Sequence, residues 1–206
     1  MTSPTAIDYG IPYHIFTRGI NRENIFKEEG NYYRFMSLYV QHVAPIAETY
    51  AYCLLRNHLH LFLRIRNKSE IAKNSEGDEE TKVFLQTPPG QHFSNLLNAY
   101  AKTINNSYDR TGSLFQHPFG RIPVTNQKYF YSLIRYIHQN PQHHGFVKDF
   151  RAWPFSSFHN LESREHLDFT SFISLTKVDS DSKRSDTHLE SPDLRMIGPL
   201  IISDFF

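Results

Sequence analysis

Two histidines, His58 and His60, stand in the run Tyr-Cys-Leu-Leu-Arg-Asn-His-Leu-His-Leu-Phe-Leu-Arg from Tyr52 to Arg64. Side chains alternate across a strand. Leu59, Leu61, Leu63 and Ile65 therefore share one face, and His58, His60, Phe62 and Arg64 the other. The first set is a core face. The second aims two imidazoles at a common point above the sheet, where two neutral rings can reach one divalent cation. Paired strand histidines also serve as ordinary hydrogen-bonding residues, so the reading turns on a further partner.

The run Arg135-Tyr-Ile-His-Gln-Asn-Pro141 offers one. On a helix, Tyr136 and Asn140 share a face with Tyr129 and Leu133, while Phe130, Ile134 and Ile137 form a neighbouring apolar stripe that can pack the helix down. A carboxamide oxygen is a reasonable third ligand beside two imidazoles. A phenol beside such a metal can serve as nucleophile toward a phosphodiester. Asn before Pro is also a common helix end, and Tyr at helical spacing is ordinarily core, so on the residues alone both readings stay open. His138 is turned away from Tyr136 by its helix position and reads as structural.

The elements that must position these groups follow from periodicity. Tyr13 to Arg18 predicts a short strand ending at Gly19. Tyr32, Phe35, Met36, Tyr39, Val40 and Val43 predict an amphipathic helix over 31–44, closed by Pro45. Residues 48–55 and 58–66 read as an antiparallel hairpin about the Arg56-Asn57 turn. Residues 67–91, with an acidic Glu-Gly-Asp-Glu-Glu run and Pro-Pro-Gly, read as a surface excursion or mobile loop. A helix over 93–108, a short strand over 121–124 and a helix over 127–140, stopped by Pro141, complete the order. Strand, helix, strand, strand, helix, strand predicts an α+β fold: a ferredoxin-like antiparallel sheet with helices on one face.

A chain of 206 residues with 15% aromatics can build the core of one domain, here expected over 1–160 with 67–92 as an insertion. Residues 161–206 read as an acidic tail, partly disordered or draped. Ser180 to Pro192 has almost no apolar residues, and Met196 to Phe206 is apolar enough to dock. There is no long apolar run and no basic-flanked apolar leader, so neither a membrane span nor a signal peptide is expected. The one cysteine, Cys53, reads as a small buried residue, and a reducing, cytoplasmic setting follows. The formal net charge of +1 conceals a surplus of +5 over residues 93–159, a candidate polyanion-binding surface or a solvated helix face.

The motifs together resemble a known family. Tyr13 to Gly19, the Ala-Tyr-Cys-x-x-x-Asn-His-x-His-Leu signature at Ala51 to Leu61, Thr-Gly-x-Leu-Phe-Gln at Thr111 to Gln116, Arg-Tyr-Ile-His-x-Asn-Pro at Arg135 to Pro141 and the Phe-Ser-Ser-Phe element at Phe155 to Phe158 occur in order over roughly residues 10–158. The pattern is similar to the single-tyrosine transposases of the HUH class, and most closely to the REP-associated tyrosine transposases. The resemblance implies His58 and His60 as a metal-binding pair, Asn140 as third ligand and Tyr136 as nucleophile. It implies magnesium or manganese as the cofactor. The implied chemistry is cleavage and rejoining of single-stranded DNA near hairpins through a 5′-phosphotyrosine link, by a monomer or a homodimer. Arg135, Arg121, Lys128, Arg110 and Lys102 are candidate phosphate contacts. Phe115 and Phe119 are candidate base-stacking rings, whereas Tyr100 and Tyr108 read rather as core.

This chain departs from the family in three places. Its hairpin turn reads Leu55-Arg56 where the family carries Met-Pro, and Arg56 adds a candidate phosphate contact. His117-Pro-Phe-Gly120 stand where basic residues are usual. The insertion at 67–92 and the tail are also atypical, as regulatory arms or as tolerated surface additions. The competing functions are a domesticated relative that binds hairpin DNA or RNA without chemistry, and an interaction module.

Overall fold

The computed structural model describes residues 6–73 and 79–161. Four strands, β1 (Pro12–Arg18), β2 (Ala47–Leu55), β3 (His58–Ile65) and β4 (Gly120–Pro123), form one antiparallel sheet in the order β2-β3-β1-β4. That order is the ferredoxin-like one expected from the sequence. The β2–β3 hairpin turns at Arg56-Asn57, and the β1–β3 register sets Arg18 opposite His58, Phe16 opposite His60 and His14 opposite Phe62. Alternation then places His14, Phe16 and Arg18 on the histidine face of the sheet.

Helices α1 (Glu29–His42) and the later Pro89–Ser107 helix cover the leucine face. The Tyr39 and Thr49 hydroxyls of α1 and β2 meet at 2.6 Å, and Thr49 lies opposite Leu63. The expectation of helices on one face describes these two. The helix over Gln127–His143 crosses the other face, where Phe130 sets its ring edge-on to Phe62 (4.8 Å between centroids) and tilted against Tyr50 (5.1 Å).

The stretch expected as a loop at 67–91 contains two short helices, α2 (Lys68–Lys73) and α3 (Glu79–Gln86), and α4 begins at Pro89 rather than near Phe93. Pro88 caps α4 and Pro89 takes its first turn, where a missing N–H costs nothing. Arg64 holds α2 in place. Its guanidinium, buried at 3% exposure, donates to both carboxylate oxygens of Glu70 at 2.9 Å and to Glu48 at 3.0 and 3.2 Å. The Phe84 ring of α3 stacks on His92 of α4 at 5.0 Å. An acidic run masks these anchors in the sequence, because two short helices held by tertiary contacts leave little apolar periodicity.

The helix α5 (Gln127–His143) runs through Pro141 instead of stopping before it. Beyond it, residues 153–157 lie along the outer edge of β2. Leu54 N–H donates to Phe155 O (2.9 Å), Ser157 N–H to Tyr52 O (3.0 Å) and the Trp153 indole to Leu54 O (2.9 Å). His138 Nε2 meets Ser157 Oγ at 2.9 Å, the structural role expected of it. The chain closes with α6 (Phe158–Leu161). Apart from Leu161, the acidic tail expected at 161–206 lies outside the described residues. Among the described residues no helix is long and apolar enough to cross a membrane.

Gly120 shows how tightly β4 seats on β1. A Cβ there would fall 2.3 Å from the Phe16 ring, whose neighbours on the same face are His14 and His60. Gly120→Ala is therefore expected to lower stability by about 1–3 kcal/mol through overpacking. Urea denaturation checks this, and an unchanged midpoint would contradict the packing described.

Candidate active site on the histidine face

The strand β3 presents His58 and His60, and α5 lays Tyr136 and Asn140 over them. The His58 and His60 rings stand perpendicular at 5.3 Å, the Tyr136 ring meets His60 edge-on at 5.6 Å, and His58 Nε2 lies 3.2 Å from Asn140 Oδ1. All four residues singled out by spacing converge. Both histidines and Asn140 are buried and Tyr136 is half-buried.

Burial governs the protonation states. It holds His58 down at about 4, with the nearby His144 adding to the effect, and holds His60 well below the usual imidazole value, with His14, His58 and His144 as further causes. Both rings are therefore neutral at pH 7, the form that ligates metals. Burial raises the Tyr136 phenol above its ordinary value, partly offset by the Asn140 carboxamide beside it.

Three further side chains belong to this face. His14 of β1, fully buried and held at about 3 by burial, places Nε2 3.0 Å from His60 Nδ1. Arg18 of β1 is nearly buried opposite His58, and its charge helps keep His58 and His144 neutral. His144, brought in because α5 continues past Pro141, sets its ring 4.7 Å from His58. The alternation that marks His58 also places His14 and Arg18 on a common face of β1, but only the β1–β3 register shows that this face is the same one.

The cations expected to contact phosphate are dispersed. Lys128 and Arg135 are exposed on α5, and Lys102 is exposed on α4, across the sheet from the histidines. Arg121 is half-buried with its guanidinium 4.0 Å above the Phe119 ring. Arg110 is committed internally to Glu23, Asn105 Oδ1 (2.6 Å) and Ser113 O (3.2 Å), so it staples a turn. The two rings expected to stack on bases, Phe115 and Phe119, are core residues at 2% and 7% exposure. The turn-rich segment that carries them packs inward.

A Haemophilus influenzae protein carrying the provisional name REP-associated tyrosine transposase is 27% identical over 114 residues, spanning 54% of this chain and 59% of its own length. The chain resembles the REP-associated tyrosine transposases. A solved REP-associated tyrosine transposase bound to a REP hairpin shares the fold, at a TM-score of 0.57 and 17% identity over 91% of this chain and 94% of that one. A transposase structure from Deinococcus radiodurans is more distant, at a TM-score of 0.39 and 15% identity over 68% of this chain and 97% of its own. No protein-family model matches the chain.

Proposed function

We propose that this chain cleaves and rejoins single-stranded DNA at hairpin-forming sites, with Tyr136 as nucleophile and a 5′-phosphotyrosine link as intermediate. The observation that carries the reading is the convergence of Tyr136 and Asn140 from α5 on His58 and His60 from β3. The named relative and the fold shared with a hairpin-bound protein support it.

The donor set fits a divalent cation. Neutral His58 has one ring proton, and each ring nitrogen faces an amide oxygen, Asn57 Oδ1 at 2.7 Å from Nδ1 and Asn140 Oδ1 at 3.2 Å from Nε2. With the proton on Nδ1, donated to Asn57, the Nε2 lone pair and an Asn140 oxygen lone pair point at one another. Adjacent ligands on a cation with bonds of about 2.1 Å lie roughly 3.0–3.4 Å apart, which matches. His60 completes the set when its Nδ1–H donates to His14 Nε2, leaving its own Nε2 as a base, the second-sphere pattern typical of metal-bound histidines. Asn140, whose Oδ1 lies 3.2 Å from His58 Nε2, would supply the third ligand through its carboxamide oxygen. Magnesium or manganese bound there would neutralise charge on the scissile phosphate and favour the phenolate.

The chain's own residues supply the remaining requirements. The sheet fixes the imidazoles, and the apolar stripe of α5 fixes the direction of the phenol, so alignment for in-line attack is built in before substrate arrives. Tyr136 Oη loses its proton and bonds to phosphorus. The P–O3′ bond breaks, and its electron pair leaves with the 3′ oxygen, which takes up a proton. One phosphodiester replaces another, so the free 3′-hydroxyl can reverse the step without an external energy source. The test uses hairpin oligonucleotides labelled at either end and incubated with manganese. The 3′-labelled fragment should stay covalently on the protein and the 5′-labelled one be released. Retention of the 5′ label, or binding with no adduct at all, would overturn the reading.

A further inference from the structure

The buried cations of the histidine face differ in what surrounds them. Arg64, at the far end of β3, is raised above the ordinary guanidinium value by Glu70 and, with it, Glu48. Arg18, at the end of β1, is shifted the other way. It is 8% exposed, and burial and the nearby Arg22 both lower it. The fold thus carries a guanidinium out of water with a like charge beside it, opposite His58 in the strand register. A cation held in such a place gains most from an anion that enters the site.

The backbone under Arg18 is fixed on several sides. Its carbonyl accepts from Gln116 N–H (2.9 Å), Gly19 N–H donates to Asn57 O (2.8 Å) and Ile20 N–H to Leu114 O (3.0 Å). The turn beyond is tight. A Cβ at Gly19 would fall 2.1 Å from Glu23 O, and Asn21 and Arg22 adopt left-handed backbone at φ 53° and 63°. Strain of this kind in non-glycine residues gathers at functional sites.

Position says which oxygen Arg18 would meet. The step from His60 to His58 along β3 is about 6.6 Å and that from Tyr136 to Asn140 along α5 about 6 Å, so the two elements run in step. At one end Tyr136 stands edge-on to His60 and to His14, the latter at 6.5 Å. In the middle Asn140 meets His58. At the other end His144 packs on His58, and the charge of Arg18 reaches both rings. Attacking and leaving oxygens stand on opposite sides of phosphorus in an in-line displacement.

We infer that Arg18 is a further catalytic residue, whose guanidinium receives the departing 3′ oxygen on the side of the phosphate away from Tyr136. The inference rests on the proposed function and deepens it. As Tyr136 Oη bonds to phosphorus, the P–O3′ bond breaks and its electron pair stays on the 3′ oxygen. The Arg18 N–H groups donate to that oxygen until it takes a proton from water. In the rejoining direction the same groups favour the 3′ alkoxide as nucleophile. Donors fixed in advance in a buried site are worth more than in bulk water.

The experiment compares hairpin oligonucleotides whose scissile 3′ oxygen is kept or replaced by sulfur, each incubated with manganese and the full chain. A thiol has a pKa of about 8.5, so sulfur leaves without a donor. Arg18→Met keeps the stem and removes the charge. On the oxygen linkage it should slow adduct formation about a hundredfold, the usual cost of one lost donor to a developing oxyanion. On the sulfur linkage it should come within about threefold of the parent. Arg18→Lys keeps a charge in the strand and serves should methionine unsettle the fold, with a defect of about tenfold on oxygen and the same recovery on sulfur. An equal defect on both linkages would reduce Arg18 to a structural part, and no defect on oxygen would remove it from the reaction. Either result overturns the inference, while the parent's own adduct keeps the function standing. A parent that gives no adduct on either linkage overturns both.

Discussion

Tyr136→Phe should abolish the covalent protein–DNA adduct while leaving hairpin affinity within about twofold of the parent. The phenylalanine ring keeps the edge-on contact with His60 and the half-buried volume, so only the hydroxyl is lost. A lost hydroxyl costs about 1 kcal/mol of stability, too little to unfold a domain of ordinary stability. The chemical loss is of another order. Removing a nucleophile that works with its neighbours as a unit lowers the rate by at least about a thousandfold. The measurement is denaturing electrophoresis of labelled hairpin oligonucleotide after incubation with manganese. An adduct of undiminished yield from the variant would mean that another residue attacks, and Tyr136 would revert to a packing role.

Acidification should unfold the protein sooner than its carboxylates alone would. His14, His58 and His138 are held at about 3, about 4 and about 4 by burial, and His60 is held low by burial and by its imidazole neighbours. In the unfolded chain each titrates near the ordinary value of 6.5. Depressed values in the fold mean that the unfolded chain binds more protons, so these groups stabilise fully above about pH 6.5. That stabilisation is lost as pH falls toward about 4. Each contributes a slope of about 1.4 kcal/mol per pH unit, and the four together about 5.5, against a total stability of about 5–15 kcal/mol. Urea midpoints measured with a chelator present should fall steeply between pH 7 and pH 5, and His138→Gln should flatten the fall by about one proton. A midpoint constant over that interval would show that these rings titrate normally.

The candidate site was legible because its four principal residues come from two local periodicities. The two-residue spacing of His58 and His60 and the four-residue spacing of Tyr136 and Asn140 survive any reasonable error in element boundaries. What escaped is non-local. His14 and Arg18 join the site through strand pairing, which periodicity within one segment cannot reveal. His144 joins because α5 runs on through Pro141, against the usual effect of proline in a helix. Arg110 was a lone cation in the sequence, and its turn and Glu23 claimed it only in three dimensions. The sheet order followed from the succession of elements, whereas α2 depends on the ion pair between Arg64 and Glu70 and has no signature of its own.

The strap at 153–157 has a practical corollary. It closes the outer margin of β2 with backbone hydrogen bonds, and through Ser157 and His138 it also grips the back of the helix that holds Tyr136. A shortened version of the protein ending before Trp153 would therefore lose two things at once. The bared margin could zip onto another copy, and the helix behind the reactive phenol would lose one of its clamps. Anyone trimming this chain for crystals or assays should cut well downstream of Ser157.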